Sequence, residues 1–371
     1  MLEASDLCNP WLSSSTSNVR KAHQEFHQSV LRRVVECDHW TQALAICPDI
    51  EHLTKAYLAD SKGSSSWSPE STTFLRSIAG GGTPDELATN LVMFLVRALS
   101  GHYTITFPIQ MSSLNLLCGY PAAILAGKQI YRRGDQLQFE KQSNVTFSIE
   151  NKCTYPCRYS GNADDLVQMS SLSPKIKDTK FLYSHELHNV FIGAKGILGE
   201  AWGWVSSGLS GVYVADHNPF SFRTGSWERR PGMVFMSYLK DEVRVAEALL
   251  HESCHQHFYF GNLDGSLEEN DGIERWSEPV QQTRPVWKIL LAYHAFANVC
   301  IFYEKAGCDA TQNKSFLRNL HYAVRLEEAL DEVCFTKLPA RRLYECLRSN
   351  LDQEIPRNER VSILKNMATE I

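Results

Sequence analysis

Ala248-Leu249-Leu250-His251-Glu252-Ser253-Cys254-His255 is the stretch on which the reading of this chain turns, a His-Glu-x-x-His pattern inside a run with helical apolar spacing. Two histidines four apart share one helix face about 6 Å apart, so both imidazoles can reach a single divalent ion without straining the backbone. Asp241 is placed to cap the helix, Glu242 stands in its first turn, and Gly261 marks its end. Arg244, Glu247 and Ala248 fall on the same face as the histidines. The plainer alternative is a pair of half-buried histidines hydrogen-bonded to neighbours.

A metal held by this pair needs a third ligand. His257 lies about 240° round the helix from His251 and reads as a packing or surface residue. His185 and His188, three apart, have no secure helical context. The longer zincin pattern fails because Phe258 and Gly261 occupy its Gly and His slots. Downstream, Glu268, Glu269, Glu274, Glu278 and His294 remain. A second helix is predicted from Arg284 to about Lys305, with Thr283 as N-cap and Pro285 in its first turn. His294 sits among Leu290, Leu291, Ala297 and Ile301 on an apolar face that would pack on the first helix. It is the first choice as third ligand, and Glu278 the next.

Outward from this helix, the 371 residues divide by pattern. Asn18 to Ala59 and Pro84 to Ser100 are helical, with a Ser-rich loop at Ser61 to Ser71. From about His102, period-two alternation at Thr104 to Phe107, Leu137 to Glu140, Val145 to Ile149, Gly211 to Val214 and Met233 to Ser237 predicts strands. From Asp241 helical patterns persist to Ile371. The expected class is α+β: a helical region 1–101, a β-rich region 102–240 and a helical region 241–371 carrying a zincin-like helix with the metal site, or one continuous catalytic domain from about residue 102.

Composition narrows the function. Hydrophobic residues make up 43% and charged residues 21%, the balance of a globular chain with a sizeable core. Thirty-seven Lys and Arg against 42 Asp and Glu leave a net charge of -5, so there is no overall basic field for nucleic acid. The apolar runs Val92 to Val96 and Ala122 to Ala126 are too short to span a membrane, and Met1 to Arg20 is polar. The 11 cysteines are therefore expected to be reduced thiols of a cytoplasmic chain, and Cys153 with Cys157 has no second pair to make a zinc site.

Pro231-Gly232, the run ending Met236-Ser237, Asp241, Ala246 to Leu250, the HExxH itself, Trp276-Ser277, Arg284-Pro285 and Tyr293-His294-Ala295-Phe296 follow one another in an order that resembles a known family. It is similar to the HExxH-motif proteins of ribosomal peptide natural-product pathways, which look like 2-oxoglutarate-dependent peptide β-hydroxylases. The resemblance covers Pro231 to Tyr303. It implies that His251, His255 and His294 bind Fe(II), that Arg284 holds the distal carboxylate of the co-substrate 2-oxoglutarate, and that the substrate is a ribosomally made precursor peptide. Three side chains on one side of a ferrous ion leave positions for the 2-oxo acid and dioxygen. The His-x-Asp of jelly-roll oxygenases is absent, His23-Gln24-Glu25 being the nearest case. The competing reading is a zinc metallopeptidase in which Glu252 is the general base. In the oxygenase Glu252 would order a ligand or a water. A silent structural-metal or peptide-binding protein is the third possibility.

Overall fold

A computed structural model describes residues 2–59, 67–68, 70–99, 102–106, 116–117, 120–121, 129–133, 136–139, 147–148, 157–159, 185–215, 224–226, 228, 231–237, 239–270, 272–307 and 313–369. In chain order its helices are α1 (Ala4–Cys8), α2 (Ser13–Val34), α3 (Trp40–Ile46), α4 (Asp49–Ala59), α5 (Glu70–Ile78) and α6 (Pro84–Ala98). Strands β1 (His102–Thr106), β2 (Leu116–Leu117), β3 (Tyr120–Pro121), β4 (Gln129–Arg133), β5 (Gln136–Phe139), β6 (Phe147–Ser148) and β7 (Cys157–Tyr159) follow. Then come α7 (His185–Leu198), α8 (Trp202–Ser207), β8 (Gly211–Ala215), β9 (Thr224–Ser226) and β10 (Met233–Ser237). The last part holds α9 (Glu242–Gly261), β11 (Arg275–Ser277), β12 (Gln282–Arg284), α10 (Val286–Lys305), α11 (Lys314–Asp331), α12 (Leu338–Glu354) and α13 (Arg357–Thr369). The class is mixed α and β, mostly helical, with small sheets.

These elements do not group as three consecutive regions. One compact unit combines residues 1–19, 189–208 and 240–371, and a second combines 20–188 and 209–239. Contiguous thirds were expected because patterning reports local structure, whereas the units are set by which apolar faces close on each other.

In the second unit, α6 is the core. Thr83 and Glu86 form a reciprocal capping box around Pro84, which starts the helix without a lost N–H bond. Leu87, Ala88 and Leu91 to Val96 are all buried, so α6 is apolar on every side and needs cover from several helices. α3, α4 and α5 supply it. The sheet β1-β4-β5-β6 is antiparallel, and in β7-β8-β10-β9 the strands β7, β8 and β10 run parallel. Gly225 of β9 faces Phe235 of β10, where a Cβ would sit 2.2 Å from the ring. The strands predicted at residues 104, 137, 147, 211 and 233 are present, while the segment from His185 is a helix. Cys153 lies outside the described residues, as do the side chains of Cys157, His185 and His188.

In the first unit, α10 plays the role of α6. It is the one helix among the described residues long and apolar enough to cross a membrane, and 78% of its apolar window is buried inside the protein. α9, α11 and α12 pack on it. It starts at Val286 with Pro285 as N-cap, not within the first turn, and the Thr283 hydroxyl donates to Glu274 at 2.9 Å instead of capping. The two residues were misplaced because the preceding Gln282–Arg284 is a strand, paired with β11.

α1 is seated in the same unit. The Asp6 carbonyl accepts from the Trp204 indole at 2.8 Å, the Cys8 carbonyl accepts from Asn350 at 3.2 Å, and Leu7 packs so closely on Gly261 that a Cβ there would lie 2.8 Å from it. Cys8 and Cys346 form a disulfide, which corrects the expectation of thiols throughout. Their sequence separation of 338 residues gives no local spacing to read. Burial raises the thiols of Cys254 and Cys300 well above their ordinary values, so both are inert.

Two buried carboxylates tie the helices together. Glu247 of α9 accepts from Tyr303 of α10 at 2.6 Å and from Asn319 of α11 at 2.8 Å, with Arg244 and Arg318 each at 3.4 Å. Glu327 of α11 lies 3.1 Å from the fully buried Arg360 of α13, with Arg357 at 3.6 Å and Arg348 at 3.7 Å. Removing one member of a buried ion pair strands its partner, so Glu327→Gln should cost roughly 3 kcal/mol, read as a lowered urea midpoint. A shift below about 0.5 kcal/mol would mean that Asp352, the other partner of Arg360, suffices alone.

Candidate metal centre

α9 forms as its sequence dictates: Asp241 accepts from the Arg244 N–H at 3.1 Å as N-cap, and the helix ends at Gly261. His251 and His255 are both partly buried on one face. Their Nε2 atoms face each other at 3.1 Å, with ring centroids 4.7 Å apart. Nitrogens 3.1 Å apart and each about 2.1 Å from one ion would subtend about 95° at it, the angle between adjacent ligands of an octahedral metal. Without an ion, one imidazole donates its proton to the other. The pair is thus two metal ligands ready in place, or one hydrogen bond.

Two cations act electrostatically on His255. Arg284 of β12 stands directly opposite Arg275, which is buried and donates to the Ile273 and Glu332 carbonyls. Partners directly opposite share a sheet face, so Arg284 lies on the side of the buried Arg275, while Trp276, next along β11 and opposite Thr283, points to the other side and is half exposed. Lys288, in the first turn of α10, has its Nζ 3.8 Å from the centre of the Trp287 ring. Burial first, then the neighbouring His251, His294, Lys288 and Arg284, push His255 well below the ordinary imidazole value. His255 is therefore a neutral, lone-pair-bearing ring at physiological pH, as ligation requires.

Glu252 is almost fully buried, and its Oε2 has no hydrogen-bond partner among the described residues. A buried carboxylate oxygen without a partner, on the residue next to His251, is a group that a water or an ion could satisfy. His255 Nδ1 likewise has no partner, whereas metal-bound histidines generally donate that proton to an acceptor.

His294 is near enough to act electrostatically on His251 and His255, but its Nε2 is committed to another partner. It is fully buried, and its Nε2 bonds the Leu7 carbonyl at 2.8 Å, with Trp204 and Phe258 at 6.3 Å. The α10 residue beside His251 is Phe296, at 5.0 Å, and positions 294 and 296 point about 200° apart on a helix. Among the described residues no group of three or more His, Cys, Asp or Glu side chains is placed to hold a metal. The other candidate carboxylates have structural partners. Glu278 accepts from Trp276 and Gln281 and lies 3.8 Å from His321, Glu269 accepts from Thr336 and the Lys337 N–H, Glu268 from Asn262, and Glu274 from Thr283. His257 is a packing residue, its Nε2 3.0 Å from the Trp204 carbonyl. Lys288 and Phe296 were not foreseen at the site. The spacing of Lys288 four residues after Arg284 was the available signal.

No protein-family model matches this sequence, and comparison with curated proteins gives no match.

Two expected outcomes follow from the buried imidazoles. Burial holds His257 at about 3 and His294 at about 4, against an ordinary value of 6.5. Below pH 6.5 the unfolded chain takes up protons that the folded chain refuses, so stability falls as pH falls toward those lower values. At pH 5 each group should contribute a loss of about 2 kcal/mol, and in urea titrations at pH 7.5 and 5 His257→Gln should remove part of that difference. His294→Phe should leave the Leu7 carbonyl unsatisfied and cost about 1 to 3 kcal/mol without changing metal stoichiometry. Loss of the metal in that variant would return His294 to the ligand set.

Proposed function

We propose that this chain is an Fe(II)- and 2-oxoglutarate-dependent oxygenase that hydroxylates a side-chain β-carbon of a ribosomally made precursor peptide, in the cytoplasm. The observation that carries the reading is the facing pair His251 and His255 bordered by Arg284 and Lys288. A divalent ion alone would be repelled by that cationic border. An ion accompanied by a dianionic co-substrate would be welcomed by it.

In this reading His251 and His255 hold the ion, with His294 entering only if its bond to Leu7 is exchanged. Arg284 pairs with the distal carboxylate of 2-oxoglutarate, where a guanidinium can make two parallel hydrogen bonds. Glu252 orders a ligand or a water from the buried side. Iron bound with 2-oxoglutarate and dioxygen supplies the oxidising power for removing hydrogen from an unactivated carbon. The protein's own part is to keep His255 neutral, fix the co-substrate's orientation and limit water.

One observation favours a second reading. The buried, unpartnered Oε2 of Glu252 suits a zinc metallopeptidase, in which that carboxylate takes a proton from a water.

The separating experiment supplies Fe(II), 2-oxoglutarate and oxygen and measures succinate, first without peptide and then with candidate peptides. Succinate should form, a partner peptide should gain the mass of one oxygen without being cut, and Glu252→Gln should keep its metal. Arg284→Ala should weaken 2-oxoglutarate binding by about tenfold to a hundredfold, the value of ~1.5 to 3 kcal/mol for a charge-assisted hydrogen bond. No succinate from the iron-loaded chain, together with Glu252-dependent cleavage by the zinc-loaded chain, would establish the peptidase instead.

A further inference from the structure

α1 is a helix of five residues, too short to hold itself, and it grips the rest of the first unit through few groups. Leu7 is buried against Gly261, the Asp6 carbonyl takes the Trp204 indole N–H at 2.8 Å, and the Leu7 carbonyl is bonded to His294 Nε2 at 2.8 Å. The bonds from Ser15 and Asn18 join it only to the neighbouring start of α2. Against these contacts stands the entropy lost in ordering the segment, and a covalent tie offsets it: Cys8 is bonded to Cys346 of α12. The two sulfurs differ in access. Cys8 is fully buried, Cys346 is partly exposed, and the Asn350 amide points its N–H toward both, 3.5 Å from Cys8 Sγ and 4.0 Å from Cys346 Sγ. Among the described residues Cys37, Cys47, Cys254, Cys300 and Cys334 are free thiols, so this bond belongs to no disulfide framework.

We propose that Cys8–Cys346 is a redox latch: a dithiol reductant opens it through Cys346, and its opening releases α1 and uncovers His294. A thiolate of the reductant attacks the accessible Cys346 sulfur, the S–S bond breaks, and Cys8 leaves with the electron pair and takes a proton. The Asn350 N–H lies where negative charge gathers on that leaving sulfur. The second thiol of the reductant then attacks the mixed disulfide at the reductant's own sulfur and frees Cys346, which takes the other proton. Two electrons have passed from the dithiol, which ends as a disulfide, to the two cysteines. With the latch open, α1 is left with Leu7 and the carbonyl bonds of Asp6, Leu7 and Cys8 as its grip on the distant parts of the unit. The ring it then gives up is a neighbour of the facing pair, since His294 acts electrostatically on His255.

Hydrogen exchange read by mass spectrometry, on the full chain oxidised and then reduced with dithiothreitol, tests the latch. The folded chain should be reduced without denaturant, and the α1 amides should then exchange roughly tenfold faster or more while those of α10 and α12 keep their protection. Cys346→Ser, which cannot form the bond, should show fast α1 exchange with or without reductant. In that variant His294 should react with diethyl pyrocarbonate, mapped by peptide mass, about tenfold faster than in the oxidised wild-type chain. Thermal melting of the variant reports its folding separately, and the reduced wild-type chain gives the same reading without a substitution. A bond that resists dithiothreitol until the chain unfolds, equal α1 exchange in the two redox states, or protection lost evenly across α9 to α12 would mark a purely structural disulfide and overturn the inference. An unreactive His294 in Cys346→Ser would do the same, because α1 would then stay seated without the bond.

Discussion

The first unit depends on the need to cover α10 on all sides. A 20-residue helix whose apolar surface wraps its whole circumference cannot rest on one partner. It recruits α9, α11 and α12, and buried polar side chains tie some of these contacts together. Glu247 illustrates the matching, since its carboxylate reaches Tyr303 of α10 and Asn319 of α11 from one turn before His251. Because side chains of α9 and α10 interlock at these points, the histidine pair has no freedom to slide along its neighbour. The site's position follows from core packing, and its chemistry from what is left on the flank that packing does not consume.

On that flank, charge decides what can enter. At an effective dielectric near 20, a dication about 6 Å from a single positive side chain meets roughly 5 kcal/mol of repulsion. Two such side chains near His255 would make a bare metal site unfavourable, and two compensating negative charges would reverse the sign. Phe296 and Tyr322, with ring centroids 5.1 Å apart, continue the surroundings of His251 as an aromatic wall. Aromatic rings and a neutral His255 line this flank, with Arg284 and Lys288 acting on His255 electrostatically.

How much of this could be read from the sequence varied with the range of the interaction. The α9 helix, its Asp241 cap and its Gly261 end were legible because caps and periodicity are local. The facing of His251 and His255 followed from a spacing of four. His294 was not legible: its apolar stripe correctly announced a core helix, yet which way a ring in that stripe points depends on α1, 287 residues away, whose Leu7 carbonyl claims it. A longer separation still, 338 residues, hid the Cys8–Cys346 pair. Strand positions at residues 211 and 233 were visible through alternation, but their parallel pairing was not, since register belongs to the sheet and not to either strand. The division into units also escaped, because residues 1–19 and 189–208 carry no sign of the helices they join.

The seating of α1 has a consequence for the order in which the molecule can be made. Its partners are Trp204, Gly261, His294, Cys346 and Asn350, 198 to 342 residues further on, so α1 has nothing to hold until those segments have been made. The second unit, complete by residue 239, has no such delay. During synthesis, growing chains therefore carry a folded central portion and a first helix without its berth. Leu7 and the uncovered face of α10 are exposed over that interval, and any chaperone acting on this protein has its longest opportunity there.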